Sequence, residues 1–231
     1  MRRLLTLLLL LAAICTTRAQ VGEPRNNFSV GVNGGVNLSS VSFIPTFKQG
    51  TKQGMVGGLT ARYISEKYFA LLCGIQAEVN YAEYGWTTAQ EIHDPRSCTR
   101  TLRYIEIPFL SHIAIGKEDG FQTFIHAGPQ LGYLIGKSVT MTDDFLRDGS
   151  FQQYSNREKA AVLPIERKLD YGITAGLGIE WHTKRSGSFM IEGRYYLGLS
   201  DFFASGKAAD FERSAHRNIV VKATYLFDLT R

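Results

Sequence analysis

Leu102 to Gly136 reads LRYIEIPFLSHIAIGKEDGFQTFIHAGPQLGYLIG, two arms about the tight turn Gly116-Lys117-Glu118-Asp119-Gly120. In the first arm Ile105, Ile107, Phe109, Ile113 and Ile115 share one face, with Ser111 the exception. Tyr104, Glu106, Leu110, His112 and Ala114 occupy the other. In the second arm Ile125, Ala127, Leu131, Tyr133 and Ile135 alternate against His126, Gly128, Gln130 and Gly132. Alternation of this length predicts a β-hairpin with two unlike faces. Which face meets protein and which meets another medium decides the fold.

The same pattern recurs on both sides of this hairpin. Alternating runs cover Phe28–Leu38, Met55–Tyr63 and Phe69–Tyr81 before it, and Leu169–Trp181, Phe189–Leu197 and Ile219–Phe227 after it. Short turns are expected at Ser65–Lys67, Gly116–Gly120 and Thr183–Gly187. Long loops are expected from Leu38 to about Gln53, Glu83 to Thr101, Lys137 to Arg167 and Asp201 to His216. No stretch has a helical period. Eight strands in up-and-down order close into a barrel because closure removes the edges. Short and long connections alternate, so all the turns fall at one end and all the loops at the other. That layout predicts an all-β, eight-stranded antiparallel up-and-down transmembrane β-barrel with short periplasmic turns and long extracellular loops.

Side-chain size separates this reading from a soluble barrel. The apolar face is bulky, whereas the polar face mixes glycine with charge. A small lumen has little room, so the small and charged set belongs inside, and glycine on a solvent-facing surface would only weaken the strands. The expected lumen set is Arg62, Glu78, Glu106, His112, His126, Asp170, Glu180, Glu192, Arg194 and Lys222. Two aromatic bands agree with two water–lipid interfaces. Tyr63, Phe69, Phe121, Trp181, Phe189 and Phe227 lie toward the short turns, and Tyr81, Tyr133 and Tyr171 toward the long loops.

The chain opens MRRLLTLLLLLAAICTTRAQ, two arginines before an apolar run that is too short to span a membrane, then small residues. It reads as a signal peptide over residues 1–19 cleaved before Gln20, with the barrel domain over 20–231. Of 26 Lys and Arg, three lie in the presequence, leaving 23 against 21 acidic residues, a charge of +2. No basic stripe suggests nucleic acid. Cys73 on a strand and Cys98 in a polar loop are not expected to pair, and no Cys/His cluster suggests a metal or other cofactor.

Several short motifs resemble the PorT-like outer-membrane β-barrel family common in Bacteroidetes. They are YIEIPF at Tyr104–Phe109, AGPQLGYLIG at Ala127–Gly136, LDYGITAGLGIE at Leu169–Glu180, EGRYYLGL at Glu192–Leu199 and YLF at Tyr225–Phe227. The resemblance covers nearly all of the chain after the presequence. It implies an outer-membrane barrel and, because PorT belongs to the type IX secretion apparatus, an accessory role in protein secretion. The chain departs from many such barrels in its tail, Asp228-Leu229-Thr230-Arg231, which follows the final aromatic.

Eight strands leave a lumen just wide enough for side chains to fill. Charges buried there must pair. The expectation is a salt-bridged plug, with Glu192 and Arg194, two apart on one face, at its centre. The function expected is structural or interactive, with outer-membrane lipid around the wall and protein partners at the extracellular loops or in secretion machinery. A small-solute channel is one alternative. A hydrolase at the rim, built from His93-Asp94 and His216, is the least favoured because no Ser or Cys elbow accompanies them. The chain is therefore read as a non-enzyme without catalytic, cofactor or metal residues.

Overall fold

The computed structural model describes residues 23–88, 98–117, 119–141, 159–160, 163–183, 187–203 and 210–230. The expected presequence and its cleavage point lie outside them. The strands are β1 (Glu23–Ile44), β2 (Gln49–Tyr68), β3 (Leu71–Thr88), β4 (Cys98–Gly116), β5 (Phe121–Met141), β6 (Leu169–Thr183), β7 (Gly187–Gly198) and β8 (Arg213–Asp228). Each pairs antiparallel with the next, and β8 returns to β1 to close the barrel.

Alternation sorts the side chains onto two surfaces. Outside, Leu177 is 72% exposed and Leu59 and Ile75 are each 65% exposed, within a belt of valine, isoleucine and leucine around the wall. Such a continuous apolar surface is stable only against hydrocarbon. At its periplasmic margin Phe121, Trp181, Phe189 and Tyr225 are direct cross-strand partners over β5 to β8. Phe121 and Trp181 stack at 5.7 Å. Phe69 lies in the β2–β3 turn rather than on a strand, with φ 55° and its ring fully projecting. Inside, glycines make room: a Cβ at Gly176 would stand 2.6 Å from Arg194 Cγ.

The wall is taller than the alternation of apolar residues suggests. β1 has 22 residues, whereas about 9–11 cross a bilayer. The first outer connection is only Pro45–Lys48, not a long loop reaching Gln53, and β3, β4, β5 and β8 each continue into stretches expected to be loop. Polarity inverts in these extensions. Val41, Phe43, Tyr84, Trp86 and Leu102 are buried inside, whereas Ser40, Ser42, Thr87 and Thr101 face outward. Above the membrane the wall obeys the rule of a soluble barrel because its outer medium is water. Cys98 accordingly begins β4 as a buried residue rather than lying in a loop.

Candidate functional site in the barrel lumen

The ten residues expected to line the lumen are all buried, none more than 6% exposed. In an eight-stranded barrel, strands four apart stand opposite each other, and among the described residues three pairs joined by hydrogen bonds cross the lumen between such strands. Nearest the short turns, Arg62 on β2 donates from both terminal nitrogens to Glu180 on β6 at 2.6 and 2.7 Å. In the middle, Arg194 on β7 donates to both oxygens of Glu78 on β3 at 2.9 and 2.6 Å. Toward the outer mouth, Tyr104 on β4 meets His216 Nε2 on β8 at 3.2 Å. Two-pronged arginine–carboxylate bonds fix both distance and plane, so the two arginine struts set the separation of opposite walls.

The middle strut is the centre of a larger cluster. Arg194 also pairs with Glu192 at 2.6 Å, its neighbour two residues back on the same strand. Lys222 on β8 lies 2.5 Å from Glu78 and 3.2 Å from Glu192. His126 Nδ1 bonds Glu192 at 2.7 Å, and His126 Nε2 bonds His112 Nδ1 at 2.8 Å. An ionised carboxylate only accepts, so the proton in the first of these bonds sits on His126. Two carboxylates and two fixed cations thus neutralise one another where desolvated charge costs several kcal/mol per ion if unpaired.

Glu106 and Asp170 are held differently, by neutral donors. Glu106 accepts from the Tyr84 hydroxyl, from Gln130 Nε2 at 3.0 Å and from Asn80 Nδ2 at 3.4 Å. Asp170 accepts from the Tyr196 hydroxyl at 2.8 Å and from the Ser200 hydroxyl. The lumen network therefore has two ion-paired levels under a tyrosine–carboxylate level.

Above these levels the mouth holds an apolar cap that alternation alone did not reveal. Phe43 and Trp86 from the wall pack with Phe202, Phe203 and Phe211 from the β7–β8 connection. Arg100 lies 5.5 Å over the Trp86 ring and 5.4 Å over Phe203, and donates to the carbonyls of Ala160 and Leu163 from the β5–β6 connection. Burial pulls the Arg100 guanidinium pKa down to about 10, which still leaves it cationic at neutral pH. The signal for this cap was available in the sequence: an aromatic pair, Phe202-Phe203, inside a segment expected to be loop.

The nine girdle aromatics all reach the outer surface, Tyr63 in part, with its hydroxyl donating to Asn26 at 2.7 Å. His216 is not a rim residue. It is fully buried in β8 and stacks on Phe202 at 4.8 Å beneath the cap. His93 and Asp94 lie outside the described residues. Among the described residues no group of three or more His, Cys, Asp or Glu is placed to hold a metal ion. At the other end a cavity of about 340 Å³ opens between the short turns, with Arg62, His112 and Glu180 in its lining.

A closed antiparallel barrel with an apolar belt outside and paired charges within is an outer-membrane β-barrel. The chain belongs to the outer membrane protein beta-barrel domain family, whose model matches residues 18–204. No curated protein matches it. Among solved structures it is similar to OprG from Pseudomonas aeruginosa, at 13% identity over 89% of this chain and 98% of that one, TM-score 0.46. Ail, the attachment invasion locus protein of Yersinia pestis, is similar at 12% identity over 88% and 100%, TM-score 0.40. Neisserial surface protein A is similar at 12% identity over 87% and 97%, TM-score 0.43.

Proposed function

We propose that this outer-membrane barrel is a non-conducting, non-enzymatic structural and interaction protein whose partners meet its extracellular face. The observation that carries this reading is the Arg194–Glu78 strut, locked to Lys222 and Glu192 across the middle of the lumen. A solute path would have to break a buried network in which each lost partner leaves a charge uncompensated. The aromatic cap adds a second obstruction at the outer mouth. Purified protein in planar bilayers should show no steady conductance. A stable open state of the unmodified protein would overturn the reading and favour a small-solute channel.

A second reading makes the barrel an accessory of protein secretion, and the PorT-like motifs from Tyr104 to Phe109 and Ala127 to Gly136 favour it. Deleting the gene and comparing secreted and surface proteomes separates the two. Loss of exported proteins supports the secretion role, and an unchanged secreted set excludes it.

A further inference from the structure

We infer that the lipid face over β1 to β4 carries a built site for one acyl chain of a phospholipid from the periplasmic leaflet. Phe227, Val30, Ala61, Ala77 and Phe109 are successive cross-strand partners, a single row from β8 to β4. Large rings stand at both ends and the two alanines leave the row low in the middle. The row on the membrane-centre side is Val32, Leu59 and Val79, and the row on the periplasmic side is Phe28, Tyr63 and Ile75. Two apolar hollows, of about 370 and 610 Å³, both reach Ala61, Ala77 and Phe109, so they form one trough crossing the row. Each is within the roughly 300–1,000 Å³ of small-ligand sites.

The occupant follows from where the trough lies. From Tyr63 to Leu59 it follows about 13 Å of strand at ~3.3 Å per residue, close to half of a ~30 Å hydrocarbon core. It is continuous with the exposed apolar belt, so hydrocarbon already covers its rims. Its periplasmic end is polar, where the Tyr63 hydroxyl meets Asn26 and Thr230 bonds the backbone at Asn26 and Phe28. A phospholipid anchored at that leaflet places its headgroup beside these groups and its chain in the trough. A second apolar hollow around Gly193 lies on the opposite wall, lined by Ile113, Ile179 and Val221. It serves as the internal comparison.

The test uses the full barrel reconstituted in vesicles of phosphatidylethanolamine and phosphatidylglycerol, doped with phosphatidylethanolamine carrying a photoreactive group on one acyl chain. Cross-links are mapped by mass spectrometry. Adducts should concentrate on Leu59–Val79 and Phe109 and fall at least fivefold in Ala61→Phe/Ala77→Phe, while a Gly193→Phe variant leaves them unchanged. The single Ala61→Leu variant gives a partial drop if the double variant does not insert. Adducts spread evenly around all eight strands, or unmoved by filling the trough, overturn the proposal. So do protein–protein adducts at this face, which would assign it to a second copy, and labelling only by lipopolysaccharide-borne probe from the outer leaflet.

Discussion

Arg194 on β7 and Glu78 on β3 meet across the full width of the barrel, guanidinium against carboxylate at 2.9 and 2.6 Å. The two residues lie 116 positions apart in the chain. Arg194→Ala leaves Glu78 with Lys222 and Glu192 with Lys222 and His126, one fixed cation for two carboxylates. Loss of about 3–5 kcal/mol is expected, read as a lower urea midpoint for unfolding from vesicles. Because the cap and the Arg62–Glu180 strut persist, no conductance should appear. A large new conductance in planar bilayers would count against the plugged lumen.

The same pair should show strong coupling. Replacing both partners with apolar residues, Glu78→Leu with Arg194→Met, removes the strut without leaving either charge of this pair behind. Lys222 and Glu192 then still pair with each other. The double variant should be more stable than the summed single variants predict by at least about 1 kcal/mol, the scale at which contacting residues couple. Additive losses would mean that the pair is not one unit.

Gly176 and Gly193 offer a paired control on the two faces of the wall. A Cβ at Gly176 points at Arg194 Cγ and at the Gly193 carbonyl, both at 2.6 Å, whereas one at Gly193 meets nothing within 4 Å. Gly176→Ala should therefore destabilise by about 1–3 kcal/mol through overpacking, and Gly193→Ala should be neutral. Equal effects in unfolding experiments would contradict the inward and outward assignment of β6 and β7.

Trp86→Ala removes the ring that stacks on Phe202 at 5.6 Å and lies beneath Arg100. Deleting so large a buried ring costs about 3–5 kcal/mol, but here the loss is confined to the extracellular cap. The membrane-embedded levels should keep their resistance to heat and detergent. New tryptic cuts after Arg100 and Arg103, detected by mass spectrometry, are the expected sign. Cuts limited to those seen in the unmodified protein would show that the cap does not depend on this ring.

The eight strands and their two faces were legible because hydrocarbon imposes apolar side chains on every second position, and Leu169–Trp181 shows that signature without a break. Glu192 with Arg194 was legible too, as a period-two pair on one face. The main partner of Arg194 was not, because Glu78 faces it only once the barrel is closed and strands four apart are brought opposite each other. The cap escaped for another reason. In Ser40-Val41-Ser42-Phe43 and Tyr84-Gly85-Trp86-Thr87 the period continues but the medium outside has changed, so the apolar positions face inward. Read with the membrane rule alone, they resemble loop. His216 belongs with them: an expected loop from Asp201 to His216 puts it at the rim, whereas it lies in a strand under the aromatic rings.

That exchange of faces partway along β1 also fixes how deep the protein sits. Up to Leu38 the outward positions favour oil, and at Ser40 and Ser42 they favour water before Ile44 ends the strand, so sliding the wall inward or outward by one residue pair exposes the wrong surface on one side of the boundary. The barrel is therefore gauged against the bilayer by its own strands, before any partner touches it. Residues such as Ser42 and Thr101 act as a waterline, and turning them apolar should draw the extracellular cap down toward the lipid.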